Sequence, residues 1–292
     1  MEKVTSFRAH DNYVLALKFT ADGRTLLSGG MDSVIKMWSA KDWSLVKSIT
    51  GHKNSVHTMS MTEDEKLLAT GSTDCTVKLW SLPEIDLLYT LRDRKKTVAD
   101  VAFSPDGRWV AAGSYGGRVA LWTRDGKPLV AFAAAKKNLN SVAFTPAGDL
   151  IAAAGLGDAI TVWSLPEGEP VVKLEGHKIA VGSLRFIDNG RSLVSLGYEK
   201  AVRFWDTETW ECKIEHTLHS KSQTRAVLIS PDEKQAAISM ESMVQLWQID
   251  PWQLQAEIPV ATKSVSSMTY AADGRQIAIG GADRKIRIWL LD

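Results

Sequence analysis

The sequence predicts an all-β chain folded as a seven-bladed β-propeller of four-stranded antiparallel blades. Three observations carry that expectation. Tryptophans stand in register at Trp38, Trp80, Trp122, Trp163, Trp205, Trp247 and Trp289, at intervals of 42, 42, 41, 42, 42 and 42 residues, so one unit is copied seven times. Each period holds four short apolar, β-branched runs split by Gly, Pro, Asn and Asp. Finally, the end of the chain lacks a fourth strand that its beginning can supply. Such a blade cannot bury both faces of its sheet alone and must stack on copies of itself.

The elements follow in order along a unit. The first strand alternates apolar residues: Val14, Leu17 and Phe19; Val56, Met59 and Met61; Val98, Val101 and Phe103; Leu139, Val142 and Phe144; Val181, Leu184 and Phe186; Val227 and Ile229; Val265, Met268 and Tyr270. A turn comes next, as in Ala21-Asp22-Gly23, Pro105-Asp106-Gly107, Pro146-Ala147-Gly148, Asp188-Asn189-Gly190 and Ala272-Asp273-Gly274, where Gly and Asn accept positive φ. After the second strand a tight turn such as Gly30-Met31-Asp32-Ser33 leads into a third strand ending at the register tryptophan, and an outer strand such as residues 45–49 completes the unit.

The last unit stops at Leu290-Leu291-Asp292, just past its third strand. Val4, Thr5, Ser6 and Phe7 precede Ala9 and His10 with the offset that residues 46–49 have before Gly51 and His52. The N-terminal strand is therefore expected to pair with the strand of Ile286, Ile288 and Trp289, closing the ring and covering an edge. This predicts a single domain over residues 1–292 that is complete in itself.

Composition narrows the function classes. The chain is 45% hydrophobic and 24% charged, with 35 basic and 34 acidic residues, so its net charge of +1 offers no global attraction to nucleic acid or anionic lipid. No apolar run approaches the ~18–20 residues of a membrane span, and the first ten residues lack the apolar stretch and cleavage site of a signal peptide. The expectation is a cytoplasmic, monomeric protein that binds neither nucleic acid nor membrane. Cys75 and Cys212 are too few and too scattered for a disulfide framework or zinc site, and are expected to pack as small apolar residues.

These residues resemble the WD-repeat family over essentially the whole chain. The marks are Gly51-His52, Gly176-His177, the Ser-Pro-Asp-Gly at residues 104–107, and one Trp-Asp pair, Trp205-Asp206. The family's tetrad of His, Ser/Thr, Asp and Trp maps onto His10, Ser28, Asp32 and Trp38, and onto His52, Thr70, Asp74 and Trp80. It nearly maps onto His177, Ser195, Glu199 and Trp205. Units three and four have lost it, with Arg94, Ala112 and Gly116 in one and Ala135, Ala153 and Gly157 in the other; the sixth is eroded and the seventh keeps Asp283 and Trp289. The spacing of 22 residues from His10 to Asp32 and from His52 to Asp74 could suggest catalytic pairs, but the resemblance implies structural hydrogen bonds inside a blade.

Catalytic motifs do not emerge. There is no Gly-x-Ser-x-Gly elbow, no phosphate loop and no His-Glu-x-x-His, and His216 and His219 have no third ligand beside them, so neither a cofactor nor a metal is expected. The family implies partner contacts at positions around the channel mouth, three and five residues after the His and just before the turn Asp. Those positions nominate Tyr13, Leu15, Met31, His57, Tyr115, Leu156, Tyr198, Arg225 and Met240. Apolar residues at turn tips are unusual, because contiguous exposed apolar surface marks interaction sites. Arg94, Lys95, Lys96, Lys136 and Lys137 form either a solvated lysine-rich rim or a docking patch for an acidic segment or a phosphate. The Phe-Arg-Arg-Gly signature of phosphoinositide-binding relatives and the Trp-Asp-x-Arg box of ubiquitin-ligase adaptors are absent.

The resulting expectation is a non-catalytic scaffold that binds a protein or peptide segment with apolar anchors on its top face. A small-molecule or phospho-ligand receptor is the alternative, and an enzyme with a non-standard site comes third. Trp43, Trp210 and Trp252, each five residues past a register tryptophan, and Trp109 are expected to cover sheet edges or seams between blades.

Overall fold

The computed structural model describes residues 1–157, 159–219, 222–260 and 264–291. Among them lie seven four-stranded antiparallel sheets. Strand β1 (Glu2–Arg8) precedes blade one, formed by β2 (Val14–Phe19), β3 (Thr25–Gly30), β4 (Val34–Ser39) and β5 (Leu45–Thr50). Blade two comprises β6 (Val56–Met61), β7 (Leu67–Ser72), β8 (Val77–Ser81) and β9 (Leu87–Leu91), and blade three β10 (Val98–Phe103), β11 (Trp109–Ser114), β12 (Arg118–Thr123) and β13 (Pro128–Ala133). Blade four holds β14 (Leu139–Phe144), β15 (Leu150–Gly155), β16 (Ala159–Ser164) and β17 (Pro170–Glu175); blade five holds β18 (Val181–Ile187), β19 (Ser192–Gly197), β20 (Ala201–Asp206) and β21 (Cys212–Thr217). Blade six is β22 (Thr224–Ile229), β23 (Gln235–Met240), β24 (Met243–Gln248) and β25 (Gln253–Pro259). Blade seven takes β26 (Val265–Tyr270), β27 (Gln276–Gly281) and β28 (Lys285–Leu290), and its outer strand is β1.

That last pairing is the expected closure. Thr5 faces Ile288, Ser6 faces Arg287 and Phe7 faces Ile286, with a bulge between Lys3 and Thr5. The predicted turn chemistry is also present: Gly23, Gly107, Gly148, Asn189 and Gly274 all have positive φ.

The chain divides into two compact units, Met1–Met59 with Leu228–Asp292, and Ser60–Val227. In the first unit Val14, Leu17, Phe19, Leu26 and Trp38 pack with Ala278, Ile286 and Ile288, and a second cluster joins Val244, Leu246 and Ile258 to Val265, Ile277 and Ile279. In the second unit Leu79, Val101, Phe103 and Trp122 form one cluster, Leu121, Val142, Phe144 and Ile151 another, and Val162, Leu184, Leu193 and Trp205 a third. Each cluster joins facing sheets, as a period-2 pattern with apolar residues on both faces demands.

One irregularity recurs and positions the rim. The first strand slips by one residue against the second between Val14 and Ala16, Val98 and Asp100, Leu139 and Ser141, Val181 and Ser183, and Val265 and Ser267. The extra residue of a bulge leaves the ladder and its side chain is re-aimed. Those extra residues are Leu15, Ala99, Asn140, Gly182 and Ser266, all at the register position, five residues after that of the His, for which the sequence nominated Leu15.

Candidate partner-binding rim

Just past the bulge the ladder adds one more bond, which in blades one, three, four, five and seven ties the turn-tip position to the position three residues after that of the His. The amide of Met31 donates to the Tyr13 carbonyl (2.8 Å), and in the same way Tyr115 donates to Thr97 (2.9 Å), Leu156 to Asn138 (2.7 Å), Tyr198 to Ala180 (2.8 Å) and Ala282 to Ser264 (2.9 Å). The turn-tip backbone is thus satisfied while its side chain points outward. In the second unit Tyr115, Leu156 and Tyr198 are 41%, 41% and 36% exposed. They sit on three successive blades. The Tyr198 ring rests on Gly182, where an added Cβ would stand 2.7 Å from Cε1. Arg225 and Tyr115 are both within electrostatic reach of the Tyr198 hydroxyl, whose pKa is pushed up, chiefly by burial. Arg225 itself is exposed.

Arg94, Lys95, Lys96, Lys136 and Lys137 are also exposed, and they converge on the turn of blade three. The amides of Ala134 and Ala135 both donate to the Gly117 carbonyl at 2.9 Å, which brings the following lysines against that turn. From the other side a Cβ on Gly116 would stand 3.2 Å from Lys96 Cγ. Asp93, beside Arg94 in that loop, is engaged by Arg118 at 2.8 Å.

In the first unit Tyr13 and Met31 are 44% and 46% exposed, whereas Leu15 and His57 are half-buried, and burial holds the His57 pKa below its ordinary value. Met240 is not a rim residue: it is 0% exposed. The hairpin joining β23 to β24 has two residues, Glu241 and Ser242, where blade one has Met31, Asp32 and Ser33. Counting back from Trp247 therefore lands on the last strand position, equivalent to Gly30, and the exposed tip is Glu241 and Ser242. Cys212 likewise departs from expectation. It lies exposed on the outer strand β21, since outer-strand side chains face water on one side.

The tetrads are internal wiring. His10 Nδ1 meets Asp32 Oδ1 and Oδ2 at 2.9 and 3.0 Å, His10 Nε2 meets Ser28 Oγ at 2.8 Å, and Trp38 Nε1 donates to Ser28 Oγ at 2.9 Å. Asp32 also accepts the amides of Asp11 and Val34. The His10 side chain is wholly enclosed, so no substrate reaches it, and burial lowers its pKa in spite of Asp32. Blade five repeats the pattern with Glu199: His177 Nδ1 to Oε1 at 2.6 Å, His177 Nε2 to Ser195 Oγ at 2.7 Å, and Trp205 Nε1 to Ser195 Oγ at 2.8 Å. In blade two Trp80 Nε1 donates to Thr70 Oγ1 at 2.8 Å, and His52 is buried.

Several polar anchors escaped sequence reasoning. Arg203, two residues before Trp205, is buried and bridges Glu199 at 2.8 Å and Glu215 at 2.9 Å. Arg287, at the same place in blade seven, binds Asp283. On the inner strands Asp100 accepts the Val142 amide at 3.0 Å, Ser141 accepts the Leu184 amide at 3.2 Å, and Asn140 and Ser266 donate to the carbonyls of Val181 (3.0 Å) and Val14 (2.6 Å). Asn140 and Ser266 therefore clamp adjacent blades. Recurrence of Ser, Asp or Asn at the bulge position and at the residue after it was the available signal. Among the described residues no group of three or more His, Cys, Asp or Glu could hold a metal ion.

Comparison with known proteins gives two family matches. A family described as the IFT122 first beta-propeller matches residues 13–221, and one described as WD domain, G-beta repeat matches residues 252–289. No curated protein matches the chain.

Proposed function

Because the chain belongs to the IFT122 first beta-propeller family, a WD-repeat β-propeller, we propose that it is a non-catalytic interaction module whose rim in the second unit receives a protein segment with apolar anchors. The observation that carries this reading is the row Tyr115, Leu156 and Tyr198. Three successive turn tips present large apolar side chains to water although their backbone amides are already hydrogen-bonded and ask for no such residue. Exposed aromatics of this kind dominate binding free energy where interfaces have been dissected. Arg225 at one end of the row and the lysines of the blade-three loops at the other supply the polar border such interfaces carry.

The test is Tyr115→Ala with Tyr198→Ala. The melt and circular dichroism should stay near those of the unaltered protein, while proteins captured from native lysate should be lost. Val46→Ser, on an exposed outer strand, should retain them. Trp43→Ala is unsuitable as that control, since its ring packs on Phe7 and Phe19. A double variant that keeps every captured protein removes the rim from the binding surface.

A further inference from the structure

Blade three is hollow where blade one is filled. In blade one His10, Ser28, Asp32 and Lys36 gather beside the Trp38 indole, and the Lys36 ammonium donates to the Ala9 carbonyl at 2.6 Å. At the same register positions blade three carries Arg94, Ala112, Gly116 and Ala120. Two residues before the register tryptophan the other blades hold Lys36, Lys78, Thr161, Arg203, Gln245 and Arg287, each with a polar group, so the bare methyl of Ala120 stands apart. A cavity of about 20 Å³ remains, walled by Ala112, Ala120 and Trp122 and bordered by Arg94, Lys96 and Arg118.

Two features of that cavity ask for a negatively charged oxygen. Trp38, Trp80 and Trp205 each donate the indole N–H to the hydroxyl ten residues earlier, at 2.9, 2.8 and 2.8 Å. For Trp122 that place is Ala112, and among the described residues its N–H finds no acceptor although the residue is only 5% exposed. The N–H groups of Trp163 and Trp289 also lack partners, but they are sealed from solvent, whereas Trp122 lines the cavity. An indole N–H can only donate, so the missing group is an acceptor. Charge is the second feature. Arg118 commits Nε and Nη2 to Asp93 at 2.8 and 3.4 Å, and neither Arg94 nor Lys96 has a carboxylate partner among the described residues. Three cations and one carboxylate therefore border the opening.

A water needs roughly 10–15 Å³ of such space, so the cavity takes about one or two oxygen atoms and is too small for the three of a phosphoryl group. Ser114 also lines it and the next residue is Tyr115, so the opening lies beside the first anchor of the apolar row. We propose that the hollow of blade three receives the side-chain carboxylate of an aspartate or glutamate in the partner segment, which rests on the rim being the surface that binds the rest of that segment. One carboxylate oxygen accepts the Trp122 N–H, as Ser28 Oγ does for Trp38, and the charge is met by Arg94 and Lys96. The acid thereby sets the register of the segment, because it must stand next to the apolar residue that covers Tyr115.

The probe is N-acetylglutamate α-amide, whose single charge is the side-chain carboxylate, titrated into the full chain at fixed ionic strength while the indole N–H signals are followed by proton–nitrogen NMR. The Trp122 signal should shift saturably, and the neutral N-acetylglutamine amide should leave it in place. Arg94→Ala with Lys96→Ala, both exposed, should raise the dissociation constant about tenfold. Ala112→Ser, which gives Trp122 an internal acceptor, should abolish the shift; if that variant does not fold, the surface pair decides. The proposal is overturned by an unmoved Trp122 signal, by an equal shift from the glutamine compound, or by unchanged binding to the surface pair. It is also overturned by a shift from sodium acetate or chloride with none from the glutamate compound, which marks a site for free ions only. Tyr115→Ala with Tyr198→Ala should leave the titration unchanged, so failure of the rim in lysate capture and failure of the carboxylate pocket are read separately.

Discussion

At the scale of single residues, the degenerate copies show what each tetrad member contributes. Asp32 accepts from His10 and from two backbone amides, so Asp32→Ala leaves the buried His10 Nδ1 without its partner and should cost about 1–3 kcal/mol in a denaturant melt. In blade four the hydroxyl is missing because Ala153 stands at the position of Ser28, and Trp163 Nε1 is buried without a partner. Ala153→Ser should supply that acceptor and gain up to about 1 kcal/mol; a loss instead would show that the added hydroxyl is the worse orphan. The buried histidines also set a pH dependence. His10 and His177 have folded pKa values lowered from 6.5, burial being the largest cause. Below 6.5 the unfolded chain therefore binds more protons than the folded one, and stability present above that pH is lost as pH falls. The melting temperature should drop between pH 7 and 5, well above the range where Asp22, Asp64 and Asp232, all lowered from 3.8, begin to matter. A flat profile over that interval contradicts the enclosed, neutral imidazoles.

Among elements, β1 has the largest consequence. It covers the edge of β28, and its Phe7 ring lies 4.9 Å from Trp38 and 6.3 Å from Trp43. Removing residues 1–8 uncovers a strand edge and strips a core contact from blade one, so the protein should lose its cooperative melt and associate in size-exclusion chromatography. A monomer with an unchanged melting temperature would mean that the edge is protected otherwise. The element scale is also where sequence reading went astray. Period and turn residues located the strands, yet the β23–β24 hairpin is one residue shorter than its counterparts, and only the register of Ala236 opposite Trp247, against Leu26 opposite Trp38, reveals it. One deleted residue moved Met240 from a turn tip into a wall of the core.

For the whole molecule, a net charge of +1 means that any salt dependence of partner capture must arise locally. Exposed charges interact over a Debye length of about 8–10 Å, so the lysines around the blade-three turn act only on what touches the rim. Reversing Lys95, Lys96, Lys136 and Lys137 to Glu should weaken capture and flatten its dependence on salt. Tyr115→Ala should weaken capture and leave that dependence intact. Identical salt profiles for the two variants would remove the basic loops from the binding surface.

What the sequence determined by itself is the repeat: seven tryptophans, alternating first strands, positive-φ turns and an N-terminal strand offset to match the missing one. These are local or periodic properties, set by side-chain direction, turn stereochemistry and the need of each sheet for a neighbour. The exposed row of Tyr115, Leu156 and Tyr198 was legible for the same reason, because position in the period fixes position on the blade. The tertiary structure decided what depends on the count and size of neighbours: that bulges push Asn140 and Ser266 onto the next blade, that Arg203 and Arg287 complete buried charge clusters, and that Met240 turns inward. Packing is a comparison between residues far apart in sequence, and no residue carries that comparison alone.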